Sequence, residues 1–273
     1  MSRIAGRFQQ LAEQGRTALI PYIVAGDPDL DTTVPLMHQM VVSGADIIEI
    51  GVPFSDPMAE GPVIQLGHER SLANGTSLIK VLALVAEFRR KDSETPLLLM
   101  GYANPIMHMG YSKFAEAAAL AGVDALITVD IPPEEVADMN AALQKVGIDN
   151  IFLVAPTTPP ERVRRIAELA SGFIYYVSLK GVTGAGNLDT VEVASRVEEI
   201  RKHSALPVAV GFGIKDASSA KSVAAVADGV VVGSALVNAV AQSAQQGGGL
   251  EAMLASAADL LGSIRQGIDS AAS

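Results

Sequence analysis

Three stretches of this 273-residue chain carry residues whose types and spacing could do chemistry. The first centres on Glu49, the one charge in the apolar run Ile47–Val52. A carboxylate among Ile and Val residues either faces the mouth of a barrel or is a costly buried charge. Apolar surroundings raise its proton affinity toward neutrality, which suits a general acid that later acts as a base. An ion-paired glutamate at a strand end fits the same residues, so both readings stand. The loop that follows has three prolines by Pro62 and two carboxylates, Asp56 and Glu60. It reads equally as an ordinary surface turn.

The second stretch is a pair of glycine sites, Gly211-Phe212-Gly213 and Gly233-Ser234. Bare backbone N–H groups there, with a short helix opening at Ser234, form the phosphate site found after the last two strands of many barrels. Tight-turn glycines are the competing reading. The third is Ser178–Asn187, with Gly181, Gly184 and Gly186 in six residues. Such a loop is either a lid that closes over a substrate or merely flexible.

Other chemistries find little support. His38, His68, His108 and His203 are scattered without metal-ligand spacing and read as surface or interface residues, so no metal is expected. Lys180 is the nearest candidate for an imine but lies in a loop, and no lysine occupies a strand-like run, which disfavours an imine-forming aldolase.

The elements that would position these residues follow from hydrophobic periodicity. Eight short apolar runs stand out: Ala18–Val24, Ile47–Ile50, Leu97–Met100, Ala125–Val129, Ile151–Ala155, Phe173–Val177, Val208–Val210 and Gly229–Val232. They read as parallel strands buried on both faces. Helical spacing marks Asp31–Val42, Ser77–Arg89, Ser112–Leu120, Pro133–Val146, Pro160–Ala170, Thr190–Lys202, Ala217–Val226 and Leu250–Ile268. Pro133 and Pro160 suit first-turn positions, and Gly44, Gly122 and Gly147 suit left-handed caps. Strand then helix, eight times over, predicts a closed (β/α)₈ barrel of the TIM type, α/β in class. An extra N-terminal helix, Ile4–Gln14, could cover its bottom. Gly51–Gly75 and Ser178–Asp189 read as long functional loops, and Gln242–Gly249 as a flexible linker.

Residues 1–273 read as one domain, since barrels commonly reach about 250 residues. Hydrophobic residues make up 49% of the chain, enough for a sizeable core. The absence of cysteine excludes disulfides, thiol nucleophiles and thiolate metal sites. It is compatible with the cytoplasm, which is the expected location. With 20 basic and 30 acidic residues the net charge is −10, which disfavours nucleic acid and anionic membranes as partners. An anionic ligand must then be held by local backbone donors. Met1–Phe8 lacks the apolar core of a signal peptide, and no apolar run nears ~20 residues.

Over nearly its whole length the sequence resembles the alpha subunit family of tryptophan synthase. The resemblance is carried by Leu19–Pro28 (LIPYIVAGDP), Ala45–Gln65 (ADIIEIGVPFSDPMAEGPVIQ), Met100–Asn104, Val123–Pro132 and Val177–Gly186 (VSLKGVTGAG), with Val210–Gly213 and Val231–Ser234. It implies a lyase that splits indole-3-glycerol phosphate into indole and glyceraldehyde 3-phosphate. Glu49 matches the family's acid/base, and Glu60 stands where aspartate is usual, the main departure. Tyr22, Met100, Tyr102, Ile127, Tyr175, Thr183 and Gly184 fall at pocket or lid positions. Tyr22 and Met100 take the place of the Phe and Leu common at the indole pocket. Gly211, Phe212, Gly213, Gly233 and Ser234 match the phosphate end. Pro53, Phe54, Asp56, Pro57, Asn104 and Asp130 fall where the family docks its beta subunit.

The implied mechanism is a retro-aldol cleavage that needs no metal or organic cofactor on this chain. Pyridoxal phosphate is expected on the beta subunit, in an alpha₂beta₂ assembly. Three alternatives remain at this point. One is a barrel isomerase or aldolase acting on a sugar phosphate. Another is a weak catalyst kept mainly to activate its partner, for which the Glu60 change speaks. The third is a free-standing indole-producing lyase.

Overall fold

The computed structural model describes residues 2–178, 190–211 and 213–271. Eight parallel strands close into a barrel in sequence order: β1 (Ala18–Val24), β2 (Ile48–Gly51), β3 (Leu97–Gly101), β4 (Ala125–Thr128), β5 (Asp149–Val154), β6 (Ile174–Val177), β7 (Val208–Gly211) and β8 (Gly229–Val232). All eight expected runs are strands, with ends displaced by at most two residues. β1 closes the ring by pairing with β8, with Ile20 opposite Val231. On its other side Tyr22 lies opposite Glu49, and Glu49 opposite Leu98.

Side chains alternate across each strand, so two apolar sets form. Ile20, Ile47, Leu98, Ile127, Ile151, Tyr175, Ala209 and Val231 pack together inside the barrel. Leu19, Ile23, Ile50, Leu99, Leu126, Tyr176 and Val210 belong to the second set, packed with helical residues. Helix α1 (Arg3–Glu13) contributes Ile4, Phe8 and Leu11 to the inner set, and Phe8 meets Phe173 at 5.6 Å between ring centres. The extra helix therefore plugs the barrel's lower end, as expected.

The outer helices are α2 (Leu30–Val42), α3 (Pro62–Ala73), α4 (Leu78–Arg89), α5 (Ala103–Met109), α6 (Tyr111–Ala121), α7 (Ala137–Val146), α8 (Pro160–Leu169), α9 (Thr190–Arg201), α10 (Ala217–Ala224), α11 (Ser234–Gln245) and α12 (Leu250–Asp269). Among the described residues, no single helix is long and apolar enough to cross a membrane.

Several local expectations are corrected. The supposed long loop Gly51–Gly75 contains α3, which begins with Pro62 in its first turn. Its weak apolar periodicity hides it, because the residues it buries are Gly67, His68 and Ser71 rather than an apolar stripe. Helix α5 was also unforeseen; it is only seven residues long. Pro133 sits in a turn ahead of α7 rather than in its first turn, whereas Pro160 opens α8. The helix opening at Ser234 is twelve residues long, and it takes in 242–245 of the expected linker. Gly44, Gly122 and Gly147 all have the positive φ expected of helix ends.

Candidate active site

The C-terminal ends of the strands open on a cavity of about 410 Å³, within the range of small-molecule sites. Its apolar wall comes from Met100, Val129, Leu153, Val177 and Val231, with Val63 and Ile64 from α3. Of these, only Met100 is among the pocket positions expected from the sequence. Val129, Leu153 and Val177 each lie two residues beyond an inward residue of their strand, so extending the alternation by one step would have found them.

Across the ring, beyond β7 and β8, the lining changes character. Gly213, Lys215, Gly233, Ser234 and Ala235 line the cavity there, with Asn238 one turn into α11. The residue at the start of α11 is Gly233, which has no side chain to cap it. The first N–H groups of a helix have no intrahelical partner, and the helix dipole adds positive potential. Such donors can hold an anion, and Lys215 brings a basic side chain to the same end. Gly213 takes φ +77, a conformation only glycine adopts freely. Lys215 and Asn238 escaped the sequence reading because neither lies in a glycine-rich motif.

Two tyrosines occupy the mouth. Tyr22 lies across Gly51: a Cβ there would overlap the tyrosine hydroxyl and meet its ring at 2.7 Å. Tyr175 lies across Gly211 in the same way, with ring atoms at 2.8 Å. Gly211 is thus not part of the cavity lining; its lack of a side chain makes room for Tyr175. Ile127 is buried in the barrel interior and does not reach the cavity. Tyr102 is buried behind the loop after β2, stacked on Phe54 at 4.9 Å, and its hydroxyl accepts the Ala59 N–H at 3.0 Å. Thr183, Gly184, Phe212, Lys180 and the expected lid from Leu179 to Asn187 lie outside the described residues.

The two carboxylates behave differently. Glu49 is 1% exposed, and among the described residues neither of its oxygens has a hydrogen-bond partner. Burial, reinforced by the charge of Glu60, pushes its pKa up to about 8. Glu60 lines the cavity and is half-buried. Burial raises its pKa to about 7. Glu49 sits one step back from the lining, beside its register partner Tyr22. Near neutral pH, then, Glu49 holds its proton while Glu60 is the first to ionise. Burial, with the charges of Glu60 and Glu49, lifts the hydroxyl pKa of Tyr22 well above 10, and Tyr175 is lifted likewise.

Among the docking candidates, Pro53 is buried, Phe54 and Pro57 are half-buried, and Asp56 and Asn104 are exposed. Asp130 accepts the Ala103 N–H at 2.8 Å and so caps α5. Met58 is 81% exposed on the same loop, an apolar side chain left in water. The histidine reading is corrected at one position. His38 is half-buried, and His108 and His203 are exposed, but His68 is 2% exposed. It faces the loop and β1 because α3, absent from the sequence reading, turns it inward.

A sequence profile of the family described as "Tryptophan synthase alpha chain" matches residues 8–264. The chain is 62% identical over 242 residues to the tryptophan synthase alpha chain of Nitrosococcus oceani, covering 89% of each. It is 57% identical over 269 residues to that of Thioalkalivibrio sulfidiphilus, covering 98% of this chain and 100% of the relative. The crystal structure of tryptophan synthase subunit alpha from Legionella pneumophila superposes with a TM-score of 0.92 at 45% identity, covering 99% of both chains. A tryptophan synthase structure from M. tuberculosis superposes with a TM-score of 0.86 at 35% identity, covering 98% of this chain and 100% of that one.

Proposed function

Because this chain belongs to the tryptophan synthase alpha chain family, lyases that cleave indole-3-glycerol phosphate in tryptophan biosynthesis, we propose that Glu49 and Glu60 carry that cleavage here. The observation behind the assignment is Glu49 itself: a buried carboxyl, without a hydrogen-bond partner among the described residues, that keeps its proton to about pH 8. A carboxyl so placed is a poor structural element and a good acid.

The substrate's phosphate takes the N–H groups of Gly213, Gly233, Ser234 and Ala235, with Lys215 beside them. Its indole ring takes the apolar wall of Met100, Val129, Leu153 and Ile64. Glu49 turns toward the cavity that Tyr22 lines and gives its proton to ring carbon C3. The ring becomes an indoleninium cation, with positive charge at nitrogen, and ionised Glu60 stabilises it. Glu49, now a carboxylate, removes the proton of the hydroxyl on the adjoining side-chain carbon. That oxygen forms a carbonyl, the C–C bond breaks, and its electron pair returns to the ring nitrogen. Indole and glyceraldehyde 3-phosphate leave, and Glu49 is again protonated. Each positioned proton transfer contributes roughly 10²–10⁴-fold. No metal or organic cofactor takes part on this chain.

The partner is a beta subunit, as the family implies. We place its docking face on Pro53, Phe54, Asp56 and Pro57, with Asn104 and Asp130, in an alpha₂beta₂ assembly in the cytoplasm. Exposed Met58 lies within this face. Pyridoxal phosphate belongs to that partner. One barrel, residues 1–273, serves as the whole domain. The test is release of indole and glyceraldehyde 3-phosphate from indole-3-glycerol phosphate, with and without beta subunit. Intact substrate beside active turnover of a simple sugar phosphate would replace this reading with a barrel isomerase or aldolase.

A further inference from the structure

His68 is a buried titratable side chain that the cleavage chemistry leaves unused. Two contacts set its ring. The Phe54 N–H donates to Nδ1 at 3.0 Å, and Nε2 lies 3.5 Å from the Tyr22 hydroxyl. Burial lowers its pKa to about 4, so the ring is neutral at working pH. A neutral imidazole has one N–H. With Nδ1 accepting from Phe54, that proton sits on Nε2 and points at the Tyr22 oxygen. Tyr22 therefore accepts from His68, and its own proton must go to another group.

The choice of acceptor is narrow. The hydroxyl lies over Gly51, where no side chain intrudes. Among the described residues, the ionisable groups that bear on it are Glu60 first and then Glu49, with the hydroxyls of Tyr102 and Tyr175 further down. Of the two, Glu60 lines the same cavity as Tyr22, whereas Glu49 sits behind the lining, so Glu60 is the carboxylate within the hydroxyl's own space.

We propose that His68 is a positioning residue that makes the Tyr22 hydroxyl a hydrogen-bond donor to the Glu60 carboxylate during cleavage. This rests on the reading of Glu60 as the carboxylate that stabilises the indole cation. Glu60 hangs from a loop, whereas Tyr22 belongs to β1 and His68 to α3. A donor fixed on rigid elements holds the carboxylate where the ring charge develops. Because the Phe54 N–H orients His68, seating of the loop at Phe54 and orientation of the donor are set together.

The test is a double-mutant cycle on the full chain with beta subunit present, reading kcat and KM for indole release. Asparagine at 68 can accept from Phe54 but is too short to reach Tyr22; glutamine places its amide N–H near the position of Nε2. His68→Asn should lower kcat about tenfold, the scale of one hydrogen bond to a charged group, with KM little changed. His68→Gln should recover most of that loss. In a Tyr22→Phe background, His68→Asn should cost nothing further. An equal loss in both backgrounds, or a change confined to KM, overturns the proposal. If His68→Asn does not fold, Tyr22→Phe and His68→Gln decide it: unchanged kcat in Tyr22→Phe overturns the proposal, and a reduced kcat there with near-normal kcat in His68→Gln supports it. Failure of the wild-type chain to release indole would sink the cleavage reading itself, whereas normal wild-type turnover with no coupling sinks the His68 role alone.

Discussion

Tyr175 on β6 lies across Gly211 on β7, its ring and hydroxyl filling the space a side chain at 211 would need. The two residues form one unit, since the tyrosine can occupy the barrel mouth only if its neighbour is glycine. Gly211→Ala should push the ring toward the cavity, destabilise the fold by about 1–3 kcal/mol and lower kcat. Gly262, inside α12 with open space around it, is the control. Gly262→Ala should be neutral or stabilising by up to about 1 kcal/mol. Thermal melts of both variants check the contrast; equal effects would mean that space at 211 is not limiting.

Glu49→Gln should abolish indole release while leaving substrate binding near wild type, measured by calorimetry. It should also stabilise the protein as pH rises. The carboxyl's pKa is raised from 4.5 to about 8, so the folded chain binds the extra proton between those values. Its contribution to stability is complete below pH 4.5 and is lost as pH rises through 8. Glutamine cannot ionise, so the variant should melt higher than wild type at pH 8, by about 1 kcal/mol or more, with the advantage shrinking toward pH 5. A variant with near-normal turnover would remove Glu49 from its role.

The rate should follow a bell-shaped pH curve. Glu60 must be ionised, which sets an acid limb near pH 7, and Glu49 must hold its proton, which sets a basic limb near pH 8. The two groups interact, so the limbs belong to the pair rather than to either residue alone. A kcat profile flat from pH 6 to 9 would contradict the assignment.

Glu60→Ala should impair kcat by about 100-fold or more, the scale of a lost electrostatic stabiliser in a desolvated site. Glu60→Asp keeps the charge and shortens the reach by one methylene, so it should fall between wild type and alanine. Full activity in the alanine variant would end the second-carboxylate assignment.

Much of the fold was legible because parallel strands buried on both faces leave unbroken apolar runs. Ala18–Val24 and Gly229–Val232 match the observed strands residue for residue. Helix α3 was not legible, because the face it packs against α11 and β1 carries Gly67, His68 and Ser71 rather than an apolar stripe. His68 was misread for the same reason: without the helix, nothing in the sequence turns it toward Phe54 and Tyr22.

From the sequence alone came the residue types and their order: a lone carboxylate on an apolar strand, glycines after the last two strands, and motifs that point to one family. Those properties are local, written into short runs and spacings. The state of the chemistry was decided only by the closed barrel. It removes water from Glu49, sets Glu60 against it, and lays two tyrosines over Gly51 and Gly211. Protonation and reach depend on what surrounds a side chain from distant parts of the chain, and only closure of the ring brings those parts together.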